Sequence, residues 1–305
     1  MKQKQFGIII MVLSAMAFSI GIILMKVIPE WTIMEPEHVG IWRFTLAAPA
    51  YWLIAQFRPS RRPLTAKQRW RFIGAGLVFS MASFSAIFSL ARLPSSIFVI
   101  VINISPSLVV LFSLFTGRPV PKIFWLGLPL TLIGLTLTAY EFGSALVVDP
   151  LGLVIALINA TAFGSYIIVS EKVFANVQGR SAGTKWVMTG AMLTGLVLLP
   201  ILGIRAPGSP IGWVLLVSLG ILGTVVPIYT MNVGLQYLGA ARGSVITTLQ
   251  PVLTVLFSTL FLDETLSLQQ WLGGALVILA VVLLQRSPDR VRGEQQQRDV
   301  GIYES

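Results

Sequence analysis

Four amide side chains stand inside long apolar runs of this chain. They are Asn103, Asn159, Asn232 and Gln250. An amide offers hydrogen-bond donors and an acceptor, and it is costly to expose to lipid, so these side chains are predicted to face the interior of a helical bundle. There they either contact a polar small molecule or hydrogen-bond neighbouring helices. For any one of them the two roles are equally well supported.

Helical spacing places further residues on the same faces as these amides, because positions i, i+4, i+7 and i+11 lie on one side of a helix. The four faces are Ser14, Phe18, Gly21 and Met25; Asn159, Phe163, Tyr166 and Ser170; Ser96, Ile100, Asn103 and Ser107; and Ala241, Val245, Thr248 and Val252. The residues predicted to contact a substrate are Ser14, Phe18, Arg43, Asn103, Asn159, Phe163, Tyr166, Asn232, Thr248 and Gln250. For the aromatic members, ordinary packing is the more frequent role.

Arg43 is a charged residue one turn inside a predicted helix. A guanidinium makes two parallel hydrogen bonds to a carboxylate or phosphate, so Arg43 is a candidate site for such a group. Alternatively Arg43 and Lys26 extend toward the membrane surface, or pair with Glu30, Glu35 or Glu37. Proton coupling normally uses an acidic group in mid-helix, and none is predicted here. Facilitated diffusion or exchange is therefore favoured.

Two prolines, Pro106 and Pro251, fall in the middle of predicted helices. Each removes one backbone hydrogen bond and kinks its helix, which deprives the carbonyls of Ile102 and Thr247 of their donors. Bare carbonyls at bilayer depth survive only against protein or water, so the kinks are predicted to line a cavity. A kink that serves only packing is the alternative.

The composition excludes several classes of function. The 305 residues are 55% hydrophobic and only 11% charged, whereas soluble domains carry about 25% charged residues. There is no cysteine and one histidine, His38, which argues against disulfides, thiol catalysis and the usual metal clusters. No nucleotide-binding GxxxxGK[ST] motif and no cluster of catalytic groups is present, so neither an enzyme nor a cofactor is predicted.

Apolar runs of membrane-spanning length recur along nearly the whole chain. They predict helices at 6–27, 39–57, 71–91, 95–116, 122–141, 151–172, 185–204, 211–235, 243–262 and 268–285. The first is too long for the apolar core of a signal peptide and is predicted to stay uncleaved. Of the 22 Lys and Arg residues, 18 fall in segments on one predicted side, which places both termini in the cytoplasm and the chain in the inner membrane.

The chain repeats itself after 145 residues. Between 7–28 and 152–173, seven of 22 positions are identical, and between 106–113 and 251–258 six of eight are identical. The predicted domains are a first five-helix repeat (1–146), a second (147–286) and a cytoplasmic disordered tail (287–305). Because five is odd, the second repeat enters the membrane from the opposite side. This predicts an all-α membrane protein of ten helices in two inverted repeats, an arrangement typical of secondary transporters.

The segment from Leu235 to Gly274 resembles the EamA-type branch of the drug/metabolite transporter superfamily. The residues that carry the resemblance are Gly239 to Arg242, Pro251, Glu264 and Gly273, with Pro106 and Gly127 in the first half and Trp42-Arg43-Phe44 in the second helix. Arg118 and Gln250 stand where that family usually has acidic residues. The resemblance implies ten helices, a central cavity between the halves, and export or exchange of small metabolites such as amino acids.

The leading hypothesis is alternating-access transport of a small amino acid or similar zwitterion. A multidrug or cation efflux transporter is the alternative within transport, and a lipid flippase or membrane enzyme is the alternative from another class. The predicted partners are a small-molecule substrate and the lipid bilayer, without nucleic acid. Homodimer formation is left open.

Overall fold

Long helices are the regular elements of the computed structural model, which describes residues 2–57, 63–90, 92–93, 98, 101–106, 108–109, 112, 123–139, 149–175, 177, 180–262 and 267–286. The elements are α1 (Lys2–Trp31), α2 (Pro36–Phe57), α3 (Ala66–Leu90), α4 (Ile123–Ala139), α5 (Pro150–Phe174), α6 (Arg180–Leu202), α7 (Pro210–Gly220), a π-helical segment (Ile221–Val225), α8 (Val226–Leu238), α9 (Ala240–Thr247), α10 (Leu249–Leu262) and α11 (Leu268–Arg286). The described residues contain no strand.

Five helical stretches are long and apolar enough to cross a membrane within this described part. They are Gln3–Pro29, Ala66–Ser89, Pro150–Phe174, Ala182–Leu202 and Pro210–Leu238. Two shorter apolar helices, Ile123–Leu137 and Trp271–Ala280, accompany them. Most of the predicted fourth helix lies outside the described residues, including Ser96, Ile100 and Ser107, as does the predicted tail.

Local sequence explains where several helices begin. Asp149 is the N-cap of α5, where its side chain accepts a hydrogen bond from the Leu151 N–H at 2.8 Å, and Pro150 occupies the first turn. Ser209 and Pro210 begin α7 in the same way, with the Ser209 hydroxyl accepting from the backbone N–H of the third residue on. Neither proline loses a helical hydrogen bond at these positions, because backbone N–H groups in the first turn of a helix have no partner within the helix.

Ion pairs join loops at the ends of the helices. Arg92, after α3, lies 3.2 Å from Asp149, and Arg205, after α6, lies 3.5 Å from Glu35 in the loop before α2. The Leu151 N–H, and after it Arg92, hold the pKa of Asp149 below its usual range. The two ion pairs thus join the loop after α3 to the start of α5, and the loop after α6 to the loop before α2.

The predicted eighth helix, 211–235, is confirmed as one helical span, Pro210–Leu238, but the span is not α-helical throughout. Between α7 and α8, residues 221–225 form a π-helical turn, and the Val226 N–H donates to Ile221 O five residues back. The Thr224 hydroxyl donates to Leu219 O at 3.1 Å, which satisfies one carbonyl near the wide turn. Hydropathy does not encode hydrogen-bond register, so the sequence analysis missed it. π-Turns of this kind are frequent at functional sites.

A glycine contact occurs twice, 145 residues apart. A Cβ at Gly7 would lie 3.1 Å from Leu238 Cγ, and a Cβ at Gly152 would lie 2.8 Å from Leu93 Cγ. Leu93 and Leu238 are themselves 145 residues apart. Both glycines therefore allow the same close approach, of α1 to α8 and of α5 to the end of α3.

A side-chain hydrogen bond is duplicated with the same offset. The Ser14 hydroxyl donates to Pro227 O at 2.7 Å, and the Asn159 amide donates to Ala82 O. In each pair of equivalent residues, 14 with 159 and 82 with 227, the members differ by 145. Each bond joins a helix of one repeat to a helix of the other. The two repeats therefore make equivalent contacts with each other, and we call this duplicated helical framework the skeleton.

Candidate functional site

One face of α8 carries three polar side chains toward neighbouring helices. Tyr229, Asn232 and Gln236 are spaced i, i+3 and i+7, and we call them the polar stripe. The Tyr229 ring lies 6.5 Å from the ring of Tyr51 on α2, and Gln236 Nε2 donates to Glu171 O on α5 at 3.3 Å. The helix that presents the stripe begins at a π-turn and ends at Gly239 (φ 79°), whose N–H donates to Leu235 O.

Asn232 is the fully buried centre of the polar stripe. Its Oδ1 accepts hydrogen bonds from the Ser170 hydroxyl at 2.7 Å and from the Tyr166 hydroxyl at 3.1 Å. Within the described part of the chain, its Nδ2 has no hydrogen-bond partner. Either orientation of the amide leaves one of its two polar atoms unpaired, because both partners stand at the same end. An unpaired buried amide is unfavourable, so the site is suited to a ligand that supplies the missing bond.

Aromatic side chains lie beside this cluster. The Tyr166 ring lies 4.9 Å from that of Phe79 on α3, and the Tyr51 hydroxyl reaches Val225 O at the end of the π-turn, at 3.5 Å. Tyr51 and Tyr166 are both fully buried. Elements α2, α3, α5 and α8 therefore converge here, with hydroxyl groups placed among aromatic rings.

The polar cluster breaks the symmetry of the skeleton. Shifted by 145 residues, Asn232, Ser170 and Tyr166 correspond to Ile87, Met25 and Gly21. The equivalent helices of the first repeat thus pack with apolar residues and a glycine at these positions. The fold does not require hydrogen-bonding groups there, which favours a functional reason for them in the second repeat.

Arg43 of α2 is buried against the π-turn. Its Nε donates to the Thr224 hydroxyl at 2.7 Å, Nη2 donates to Gly223 O at 3.0 Å, and Nη1 lies 3.4 Å from Met25 Sδ. Its guanidinium also lies 5.5 Å from the centre of the Phe44 ring. All of these partners are uncharged.

The acidic residues considered as partners of Arg43 are placed differently. Glu35 contacts His38 at 3.4 Å and Arg205 at 3.5 Å. No described side chain brings a carboxylate within ion-pair distance of Arg43. The side chains of Glu30 and Lys26 lie outside the described residues. The charge of Arg43 thus has neutral partners within the described part of the chain.

The π-turn also lies in close backbone contact with α1. A Cβ at Gly21 would lie 2.8 Å from Gly223 Cα and 3.0 Å from Gly223 O, which are backbone atoms. Only glycine fits this contact without moving one helix. Arg43 and α1 therefore both contact Gly223.

Both predicted kinks coincide with interruptions of the helix. Asn103 and Ile104 form a turn just before Pro106, and Thr248 forms a turn just before Pro251. Asn103 and Thr248 are 145 residues apart, and Ile104 and Thr248 each donate an N–H to the carbonyl three residues back. Asn103 and Thr248 are both buried. Whether the interruptions line a cavity stays a prediction.

The remaining predicted residues have mainly packing or backbone contacts. Phe18 belongs to the main core, and Phe163 packs against it. Gln250 is half-buried, and its backbone carbonyl accepts hydrogen bonds from the hydroxyls of Ser19 at 2.9 Å and Thr254 at 2.9 Å. Within the described residues, no three acidic, histidine or cysteine side chains come together as metal ligands would.

Among the described residues predicted to contact a substrate, Tyr166 and Asn232 are joined to each other by a hydrogen bond. Ser14 and Asn159 each contact a carbonyl of another helix, and Arg43 contacts the π-turn. The sequence analysis did not single out Tyr51, Thr224, Tyr229 and Gln236. The helical spacing of Tyr229 and Gln236 from Asn232 is the signal that could have found two of them.

The model of the EamA-like transporter family matches the chain twice, at residues 5–140 and 150–286. The chain belongs to the EamA-like transporter family. The family accounts for the two repeats and identifies the apolar helices as those of a membrane transport protein. It also confirms the resemblance seen in the sequence.

Similar proteins span most of the chain at low identity. The threonine/homoserine exporter RhtA of Salmonella typhimurium is 25% identical over 86% of this chain and 86% of its own length. The uncharacterized transporter YcbK of Bacillus subtilis is 25% identical over 78% of this chain and 80% of its own. An uncharacterized transporter of Archaeoglobus fulgidus is 25% identical over 61% of this chain and 66% of its own. A solved crystal structure, 19% identical, superposes with a TM-score of 0.74 over 92% of this chain and 96% of that one, which shows the fold.

Proposed function

We propose that this chain exports or exchanges a small amino acid or similar zwitterion across the cytoplasmic membrane by alternating access. Membership of a transporter family gives the class of activity. The similarity to RhtA, named a threonine/homoserine exporter, supports hydroxyl-bearing amino acids as the first substrates to test.

The observation that carries the proposal is the Asn232 cluster. A buried amide with one end paired to two hydroxyls and the other end unpaired is suited to hydrogen-bond a small polar solute. Tyr229 and Gln236 extend the same face toward either end of α8, so a solute could exchange one hydrogen-bond partner for the next. The cluster contains no charged side chain of its own, which suits a solute without net charge.

The architecture proposed for this function is ten transmembrane helices in two inverted repeats, 1–146 and 147–286, with both termini and a tail, 287–305, in the cytoplasm. The duplicated contacts of Ser14 and Asn159 support two halves built on one plan. Halves of one plan can exchange conformations to give inward-open and outward-open states of similar energy. The substrate would then meet the Asn232 cluster from both sides in turn.

Uptake into proteoliposomes tests the proposal. Vesicles that contain the purified chain are given radiolabelled threonine, homoserine and a panel of neutral amino acids, with and without the same amino acid inside. We expect saturable flux that unlabelled substrate on the far side stimulates, as exchange requires. Ser170→Ala should reduce the flux, whereas Thr161→Val should leave it unchanged, because the Thr161 hydroxyl bonds only within its own helix on an exposed face.

The alternatives give different results in the same vesicles. Flux of lipophilic cations without flux of amino acids would favour multidrug efflux, and transfer of labelled phospholipid between leaflets would favour a flippase. Absence of flux for every small metabolite would contradict the proposed function.

A further inference from the structure

We propose that Arg43 binds the carboxylate of the transported molecule; this inference rests on the proposed function and makes a carboxylate a requirement for the substrate. The side chain is only 8% exposed, and its recorded partners are a hydroxyl, a carbonyl and a thioether. A guanidinium has five N–H donors and a full charge. A buried charge is costly when uncharged groups alone surround it.

A carboxylate ligand supplies what the described partners of Arg43 lack. It brings one negative charge and two oxygens that match the fork of a guanidinium. The positive charge of one guanidinium balances the negative charge of one carboxylate. An ionisable side chain within a membrane-spanning bundle usually marks a substrate or ion pathway, and Arg43 is buried against the apolar span Pro210–Leu238.

The skeleton does not need a charge at this position. The residue 145 positions later is Met188, which is fully buried in the main core. The second repeat therefore packs its equivalent of α2 with an apolar side chain of similar length. Arg43, like the Asn232 cluster, is a departure from the duplicated plan.

Arg43 and the Asn232 cluster are two separate proposed binding positions, which we call stations. Thr224, the partner of Arg43, is eight residues from Asn232, which is about 12 Å along a helix at 1.5 Å per residue. A single amino acid spans only about 3.6 Å of extended backbone. A substrate of threonine's size therefore contacts the two stations one after the other, with its carboxylate at Arg43 and its neutral polar groups at the stripe.

Binding at Arg43 also changes the π-turn. A substrate oxygen that takes the Nη2 donor displaces Gly223 O, the carbonyl of a residue in close contact with α1. Occupancy of the station thereby alters the hydrogen bonding of the turn between α7 and α8. A ligand shifts a conformational equilibrium only through such a difference in contacts.

The test compares threonine with its carboxamide and its amino alcohol as inhibitors of threonine flux. The wild type should prefer threonine by about ten- to a hundredfold, the range expected for hydrogen bonds to a charged group. Arg43→Met copies the residue at the equivalent position of the second repeat and should abolish this preference. Arg43→Lys keeps a charge without the fork and should retain only part of the preference.

Thr224→Val separates binding from a structural role. It removes one partner of Arg43 but leaves the guanidinium, so the preference for threonine should persist even if the flux falls. Equal loss of preference in Thr224→Val and Arg43→Met would overturn the inference, as would full preference in Arg43→Met. If Arg43→Met does not fold, a preference in Arg43→Lys equal to that of the wild type overturns it. Absence of amino-acid flux in the wild type counts instead against the proposed function.

Discussion

Replacing Asn232 by leucine should separate the substrate-binding role of this residue from a structural one. The change removes the acceptor of two hydrogen bonds, at 2.7 Å from Ser170 and 3.1 Å from Tyr166. Interhelical hydrogen bonds in membrane proteins average about 0.6 kcal/mol and reach about 1.7 kcal/mol, so the two together cost about 1–3 kcal/mol. The change also removes an unpaired buried amide, which returns about 1–3 kcal/mol. The free energy of unfolding should therefore change by no more than about 2 kcal/mol in either direction.

Substrate affinity, unlike stability, should change in one direction only. If the Nδ2 donors bond a substrate, their loss removes about 1–3 kcal/mol of binding, which is about 5- to 150-fold in affinity. Thermal unfolding in detergent measures the change in stability, and the concentration dependence of threonine flux measures the change in substrate affinity. The double variant Ser170→Ala, Asn232→Leu leaves fewer unpaired hydroxyls and should unfold at a temperature closer to that of the wild type. A large loss of stability with unchanged affinity for substrate would refute the binding role and assign the cluster to packing.

Two further predictions concern the skeleton and its loops. Gly21→Ala should destabilise the protein by about 1–3 kcal/mol, because its Cβ would lie 2.8 Å from a backbone atom. The control Gly74→Ala meets nothing within 4 Å and should stabilise α3 by about 0.5–1 kcal/mol, and thermal unfolding checks both; equal effects would contradict the close crossing. Because the pKa of Asp149 is lowered by the Leu151 N–H and then by Arg92, its charge contributes stability above the ordinary value of 3.8, and this is lost as the pH falls through the lowered value. Asp149→Asn should therefore lower Tm at neutral pH but not in acid, and a difference independent of pH would contradict this.

Hydropathy and repetition predicted most of what can be seen of the fold. The apolar runs at 6–27, 71–91 and 151–172 each correspond to one long helix, because apolar length is what a membrane span requires. The offset of 145 residues, found in two blocks of sequence, also relates Ala82 to Pro227, which lie outside both blocks. Because a duplicated sequence keeps equivalent contacts, the repeat predicted that contacts would be duplicated. It did not predict which residues would make them.

The site was predicted less completely, for physical reasons. Asn232 and Tyr166 were predicted because amides and hydroxyls are costly in lipid, but nothing in the sequence says that one meets the other. Arg43 was expected to bind a substrate carboxylate, to reach the membrane surface or to pair with an acidic residue, and its contacts with a π-turn were not foreseen. That turn depends on hydrogen-bond register between residues 221 and 225, which apolar composition does not determine.

The central claim is that solute passes along the polar stripe of α8, and thiol labelling tests it most directly. The chain contains no cysteine, so single substitutions need no further engineering. Tyr229→Cys and Gln236→Cys should react with a membrane-impermeant thiol reagent in proteoliposomes, and threonine should slow the reaction. The controls Met231→Cys, fully buried, and Val214→Cys, 60% exposed on the apolar surface of α7, should not react. Labelling of the two stripe positions with protection by substrate is the predicted result. Stripe cysteines that stay unlabelled, or that react at the same rate with and without substrate, would contradict the account.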